Sequence, residues 1–153
     1  MKLRIRASKA YGKWFEKYST LLRYFVTVAF PYDLSVKDAR GKGIRLWRMT
    51  NEIAIGPRFR EDGKGLITAF TIEGEVRPHI HLLQEGHPNL TEEVYDRICR
   101  RHLYVGGSKK AVKTILLKDI EHANTESGYI SKDLTWDNSP YRSFIYVPKT
   151  SRN

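Results

Sequence analysis

The sequence predicts an α+β fold with a central antiparallel β-sheet and flanking helices. The chain has 153 residues, 41% of them hydrophobic and 12% aromatic, which is typical of one globular domain. Runs rich in β-branched and aromatic residues alternate with segments of helical period. Two of these runs follow each other across a glycine turn, which favours a central antiparallel hairpin. We therefore treat residues 1–153 as a single domain.

The first predicted elements are a strand and a long helix. Phe25–Phe30 is β-branched and aromatic and is followed by a proline, so it is predicted to be a strand. Ser35 is a candidate N-cap for a helix that extends toward Ile53. Gly41 and Gly43 are unfavourable inside that helix.

A hairpin and a second helix are predicted next. Leu66–Glu73 and Pro78–Leu83 have the composition of strands, and the turn around Gly74 joins them. Thr91 is a candidate N-cap for a helix. Beyond it the sequence predicts a strand, a helix and a last strand at Val112–Leu117, Asp119–Lys132 and Ser143–Val147.

Charge and cysteine content limit the function classes. The chain carries 27 Lys and Arg against 17 Asp and Glu, a formal net charge of +10 with a pI of about 9.8, so a polyanion is the expected partner. The single cysteine, Cys99, excludes an internal disulfide and a cysteine-rich zinc site, and it favours a reducing compartment. The longest near-apolar run, Phe25–Phe30, is far shorter than the about 20 residues that span a bilayer, and no secretory signal is expected.

The basic charge is concentrated in the N-terminal segment, residues 1–24, which holds seven basic side chains and one acidic one. Aromatic residues lie among them, so the segment is a candidate nucleic-acid arm in which Lys9, Lys13 and Lys17 contact phosphates. The alternative is a helix whose apolar face packs on the core while its basic face is solvated.

A His-x-His pair is the first candidate for chemistry. Alternate side chains of a strand share a face, so His79 and His81 are predicted to lie opposite the core-facing Ile80 and Leu82. Two imidazoles on one face can hold a metal ion. The spacing alone is a weak signal.

The preceding strand offers a third ligand. If Phe70 and Ile72 face the core, Thr71 and Glu73 lie on the other side, and the hairpin brings Glu73 to the face of the two histidines. Two imidazoles and a carboxylate suit Mn²⁺ or Mg²⁺. Glu75, in the turn, is the alternative ligand.

The third candidate is a tyrosine–lysine pair. Tyr129 and Lys132 stand at i and i+3 of a predicted helix and are therefore neighbours on one face. A phenol has an unperturbed pKa of about 10, so it needs a nearby cation and a polarised phosphate to act as a nucleophile.

Together these segments resemble the HUH endonuclease superfamily, in particular the single-tyrosine nickases that initiate rolling-circle replication of viruses and plasmids. Phe25–Pro31 is similar to the first family motif. Pro78-His79-Ile80-His81 is similar to the second motif, the metal site, and Tyr129–Asp133 is similar to the third. The three motifs occur in the family order.

The resemblance implies an RRM-like domain in which His79, His81 and Glu73 bind Mn²⁺ or Mg²⁺. Tyr129, assisted by Lys132, would attack single-stranded DNA and form a 5′-phosphotyrosine with a free 3′-hydroxyl. Thr27 of the first motif is expected to contact the DNA.

The implied partner is single-stranded DNA at a replication origin, including DNA that forms a hairpin. A separate helicase is a second implied partner, and no membrane partner is implied. The implied location is the host cytoplasm, or the nucleus of a eukaryotic host.

Two alternatives stay open at this point. A single-tyrosine transposase of the same superfamily also uses His-x-His, but it commonly places a metal-binding glutamine shortly after the tyrosine, where this chain has Lys132 and Asp133. A non-catalytic nucleic-acid-binding module would use a basic, aromatic sheet face. We expect no helicase domain, because no G-x-x-x-x-G-K-[ST] loop is present.

Overall fold

The computed structural model describes residues 17–18, 20–30, 32–74, 77–104, 112–116 and 142–149, with the backbone alone for 112–116. These residues form strands, two α-helices and a short π-helix. In chain order they are β1 (Leu22–Ala29), α1 (Val36–Ala54), β2 (Thr68–Glu73), β3 (His79–Glu85), α2 (Glu92–Ile98), a π-helix (Cys99–Leu103), β4 (Val112–Leu116) and β5 (Ser143–Tyr146).

The strands form one antiparallel sheet in the order β4-β1-β3-β2-β5. The β2–β3 hairpin lies at its centre, with β1 and β4 on one side and β5 on the other. The predicted fold class, an α+β fold with a central antiparallel sheet, is confirmed.

The core lies between the sheet and α1. Alternate residues of the three central strands face it, and Val26, Ile72, Ile80 and Leu82 are fully buried there. Burial of one such aliphatic side chain contributes about 1.5–3 kcal/mol. The predicted core face of the hairpin is therefore correct.

Helix α1 begins at the predicted N-cap, where the Ser35 hydroxyl accepts a hydrogen bond from the Asp38 N–H. Its two glycines have different environments. A Cβ at Gly43 would lie 2.7 Å from Phe70 Cζ, whereas a Cβ at Gly41 would meet nothing within 4 Å. Gly43 therefore allows α1 to approach the sheet closely. This packing accounts for a glycine inside the helix, where glycine is otherwise unfavourable.

A buried polar network joins the helices to the sheet through Gln84. Its amide nitrogen donates to Thr50 and Thr68 hydroxyls, and its amide oxygen accepts from the Tyr95 hydroxyl at 2.6 Å. Since a buried amide without partners would be costly, this network makes Gln84 a specific core residue.

Several element boundaries differ from the predicted ones. β1 begins at Leu22, so Leu22–Tyr24 belongs to the sheet and not to the N-terminal basic segment. β3 continues to Glu85, and α2 passes directly into the unpredicted π-helix. The predicted helix Asp119–Lys132 lies outside the described residues. In the described part of the chain, no helix has both the length and the apolarity needed to cross a membrane.

Candidate metal centre

The hairpin register places the three predicted ligands on one face of the sheet. Glu73 of β2 is the cross-strand partner of His79 of β3, and Thr71 is the partner of His81. On β1, Thr27 is the partner of His81. Since cross-strand partners share a face, these residues all lie on the side opposite the α1 core. The predicted face of the two histidines and Glu73 is correct.

The His81 ring is held from three sides. Its Nε2 lies 2.9 Å from Glu73 Oε2, and its Nδ1 lies 3.3 Å from Thr27 Oγ1. The ring stacks on Phe25, with 5.8 Å between centroids and 19° between planes. His81 is only 8% exposed, so its orientation is fixed by packing and by both ring nitrogens.

The Glu73 carboxylate determines which nitrogen of the His81 ring carries the proton. An ionised carboxylate only accepts, so His81 Nε2–H donates to Glu73, and Nδ1 of a neutral ring accepts from the Thr27 hydroxyl. A hydroxyl can also accept, so Thr27 can bond the ring when Nδ1 carries the proton instead. Thr27 therefore supports either tautomer of His81.

Glu73 and His81 could hold a metal ion together. Adjacent ligands of an octahedral ion with bonds of about 2.1 Å are roughly 3 Å apart, close to the observed 2.9 Å between Nε2 and Oε2. The Thr71 hydroxyl is buried on the same face and has no hydrogen-bond partner among the residues that the structure describes. A carboxylate oxygen and an imidazole nitrogen are both metal-ligand types, and the same 2.9 Å separation is also that of a hydrogen bond.

The structure does not gather all three predicted ligands around one point. His79 is exposed, and among the described residues no group of three or more His, Cys, Asp or Glu side chains is placed to hold a metal ion. His79 nevertheless faces Glu73 directly across the hairpin, at a Cβ separation of about 5 Å that is typical of such pairs. The register thus makes His79 a neighbour of Glu73 on this face, while its imidazole lies outside the Glu73–His81 contact.

The end of the hairpin that carries Glu73 is fixed by contacts from distant elements. Gly74 has φ +88°, a conformation that favours glycine. The buried Arg142 guanidinium donates to the carbonyl oxygens of Ile72 and Gly74 at 3.2 and 3.1 Å. These bonds hold the backbone on both sides of Glu73.

The remaining predicted site residues have different outcomes. Tyr129, Lys132, Lys9, Lys13 and Glu75 lie outside the described residues, so their roles stay predictions. Lys17 is exposed, with its ammonium 5.3 Å from the centroid of the Tyr18 ring.

Thr27 was predicted to contact DNA, and its hydroxyl lies beside His81. The sequence does not reveal this contact or the stacking of Phe25 on His81, because both depend on the pairing of β1 with β3. The alternation of Phe25 and Thr27 on one strand face was the available signal.

Comparison of the chain with protein-family models, curated proteins and solved structures finds no match.

Proposed function

We propose that the protein is a metal-dependent nickase of single-stranded DNA that acts through a covalent tyrosine intermediate and initiates rolling-circle replication. The observation that carries the proposal is the contact between Glu73 and His81 on a sheet face that also bears His79. A structural ion pair would need only one imidazole, whereas a carboxylate and two imidazoles on one face match the donor set of a divalent-metal site.

In this proposal the residues on the sheet face would bind the metal ion and orient its ligands. Glu73 and His81, with His79 beside them on the same face, would hold the divalent ion, which when bound would supply positive charge to a phosphate oxygen of the DNA. Thr27 and Phe25 fix the His81 ring with Nε2 facing the Glu73 carboxylate, and both atoms would serve as ligands. This orientation costs no rearrangement during the reaction, because the ring is already held.

Tyr129 supplies the nucleophile. Its phenolic oxygen forms a bond to the scissile phosphorus, the bond from phosphorus to the 3′ oxygen breaks, and the phenolic proton is transferred to that oxygen. The products are a 5′-phosphotyrosine and a 3′-hydroxyl. The Lys132 ammonium, one helical turn from Tyr129 in the predicted helix, favours the phenolate and the phosphate charge.

Charge supports DNA as the substrate. The net charge of +10 favours association with a polyanion, and the N-terminal segment carries seven of the basic side chains. The exposed Lys17 is available for phosphate contact. We expect Lys9 and Lys13 to act with it.

The deciding experiment is mass spectrometry of the protein after incubation with a single-stranded oligonucleotide library and Mn²⁺. We expect a covalent adduct that maps to Tyr129, is abolished by EDTA, and is absent from Tyr129→Phe although that variant still binds DNA. His79→Ala and His81→Ala should lower adduct formation, and additional Mn²⁺ should restore part of it.

The control is Tyr146→Phe, which changes a tyrosine that packs on Trp47, away from the His81 face. Adduct formation by Tyr129→Phe, or undiminished adduct in EDTA, would refute the proposed chemistry. DNA binding without any adduct would instead favour a non-catalytic binding module.

A further inference from the structure

A groove of about 540 Å³ runs along the N-terminal half of α1, away from the sheet face that bears His81. We call it the α1 groove and define it by Tyr32, Lys37, Gly41, Lys42, Arg45 and His102. One wall is α1 and the other includes the last turn of the π-helix. Its volume is within the range of about 300–1,000 Å³ that is typical of ligand sites.

The α1 groove is basic, and two of its cations are available to a ligand. Lys42 donates to the Leu103 carbonyl oxygen at 2.6 Å and is thus engaged in the fold. Lys37 and Arg45 are exposed, and within the described part of the chain neither makes an ion pair or a hydrogen bond. Asp38 also lines the groove, so its three cations and one carboxylate give a net charge of +2 with His102 neutral.

The spacing of the available cations suits a chain of phosphates rather than a single ion. Lys37 and Arg45 are eight residues apart on one side of α1, which is about 12 Å at 1.5 Å per residue. Gly41 lies midway between them, and no atom of the described part of the chain lies within 4 Å of its Cβ position. A phosphate-bearing strand can therefore approach α1 closely between the two cations.

The α1 groove opens at the same end of the sheet as the candidate metal centre. Ala29, at the end of β1, is the cross-strand partner of His79, and Tyr32 of the groove follows only three residues later. Asp33, beside Tyr32, forms an ion pair with Arg77 at the end of the hairpin, with 3.2 Å between Nε and Oδ1. A strand that follows this end of the sheet from the metal centre would pass these residues to enter the groove.

We propose that the α1 groove binds the phosphates of the substrate DNA strand outside the position that is cleaved. Lys37 and Arg45 contact the phosphates on either side of the open backbone at Gly41. This inference rests on the proposed nickase function, since it assigns one strand to both surfaces. Because only longer strands reach the α1 groove, the affinity for DNA should increase with strand length.

The test compares Lys37→Gln/Arg45→Gln with the wild-type protein on nested single-stranded oligonucleotides that share one cleavage sequence and are extended on one side at a time. The dependence of log affinity on log salt concentration should fall in slope by roughly 1.4 for two lost phosphate contacts. We expect this change only with oligonucleotides long enough to reach the groove. The rate of adduct formation on the shortest cleavable oligonucleotide should be unchanged.

The matched control is Arg97→Gln/Lys149→Gln, which removes the same charge from two exposed positions that do not line the groove. It should leave the slope for both lengths close to that of the wild type. A second variant, Gly41→Glu, places a carboxylate in the groove and should weaken binding of long oligonucleotides only. Thermal unfolding of each variant reports whether the fold is intact.

Equal losses for short and long oligonucleotides, or the same loss in the control variant, would overturn the inference. So would an unchanged slope in Lys37→Gln/Arg45→Gln. Absence of any adduct in the wild-type protein would refute the nickase function instead. The binding measurements do not depend on cleavage, so they still decide whether the α1 groove contacts a nucleic-acid strand.

Discussion

Thr27→Val tests how the His81 ring is held. Valine has nearly the shape of threonine but carries a methyl group in place of the hydroxyl that lies 3.3 Å from His81 Nδ1. Since His81 is 8% exposed, Nδ1 then faces an apolar neighbour and has limited access to water. The Phe25 ring and the Glu73 carboxylate are unchanged.

The expected loss of Mn²⁺ affinity in Thr27→Val follows from the geometry of the contact between Thr27 and His81. A neutral hydrogen bond contributes about 0.5–1.5 kcal/mol, and 3.3 Å is long for such a bond. Loss of the group that orients a metal-binding histidine typically weakens metal binding by about 10- to 100-fold. We expect the lower end, an apparent Mn²⁺ affinity about tenfold weaker, or about 1.4 kcal/mol.

The assay is an Mn²⁺ titration of adduct formation, supported by calorimetric titration of Mn²⁺ without DNA. Thr27→Val should need about tenfold more Mn²⁺, with a maximal rate close to that of the wild type. Thr27→Ser retains the hydroxyl and should behave as the wild type. Equal Mn²⁺ requirements for Thr27→Val and the wild type, or equal defects in both variants, would refute the orienting role of Thr27.

Three further predictions concern the metal ligand, the α1 packing and the buried thiol. Glu73→Gln should raise the Mn²⁺ concentration needed for adduct formation, because an amide oxygen is a weaker ligand than a carboxylate; an unchanged requirement would exclude Glu73 as a ligand. Gly43→Ala should lower the free energy of unfolding by about 1–3 kcal/mol because of the clash with Phe70, whereas Gly41→Ala should raise it by up to about 1 kcal/mol, as urea denaturation would measure. Burial, with the Asp96 carboxylate nearby, raises the pKa of the Cys99 thiol from 9.0 to about 12, so a thiol reagent at pH 8 should label the protein only after unfolding. Above pH 9 the unfolded chain loses this proton first, so stability should fall by about 1.4 kcal/mol per pH unit up to about pH 12.

The strand faces could be predicted because their cause is local. Alternation alone places Ile72 and Ile80 in the core and Glu73 with the histidines on the other side, and the structure agrees. The N-caps at Ser35 and Thr91 are equally local and were also correct.

The features that could not be predicted depend on distant partners. β3 was expected to stop at Leu83 because polar residues follow, yet Gln84 is buried with hydroxyl partners from α1, β2 and α2. Glu85 is buried as well, and its carboxylate accepts from the Ile67 N–H. The contact of Thr27 with His81 is missed for the same reason, since no local pattern reveals the β1–β3 register.

The two bonds from Arg142 imply an order of events during folding. They join β5 to carbonyl groups 70 and 68 residues earlier in the chain, so they close some of the longest loops in the fold. On the ribosome, β1, β2 and β3 can pair before Arg142 has been synthesised. The backbone beside Glu73 gains its last two hydrogen bonds only afterwards. We expect a nascent or cleaved chain without Arg142 to keep the paired hairpin and to bind metal poorly, which would delay DNA cleavage until synthesis has passed β5.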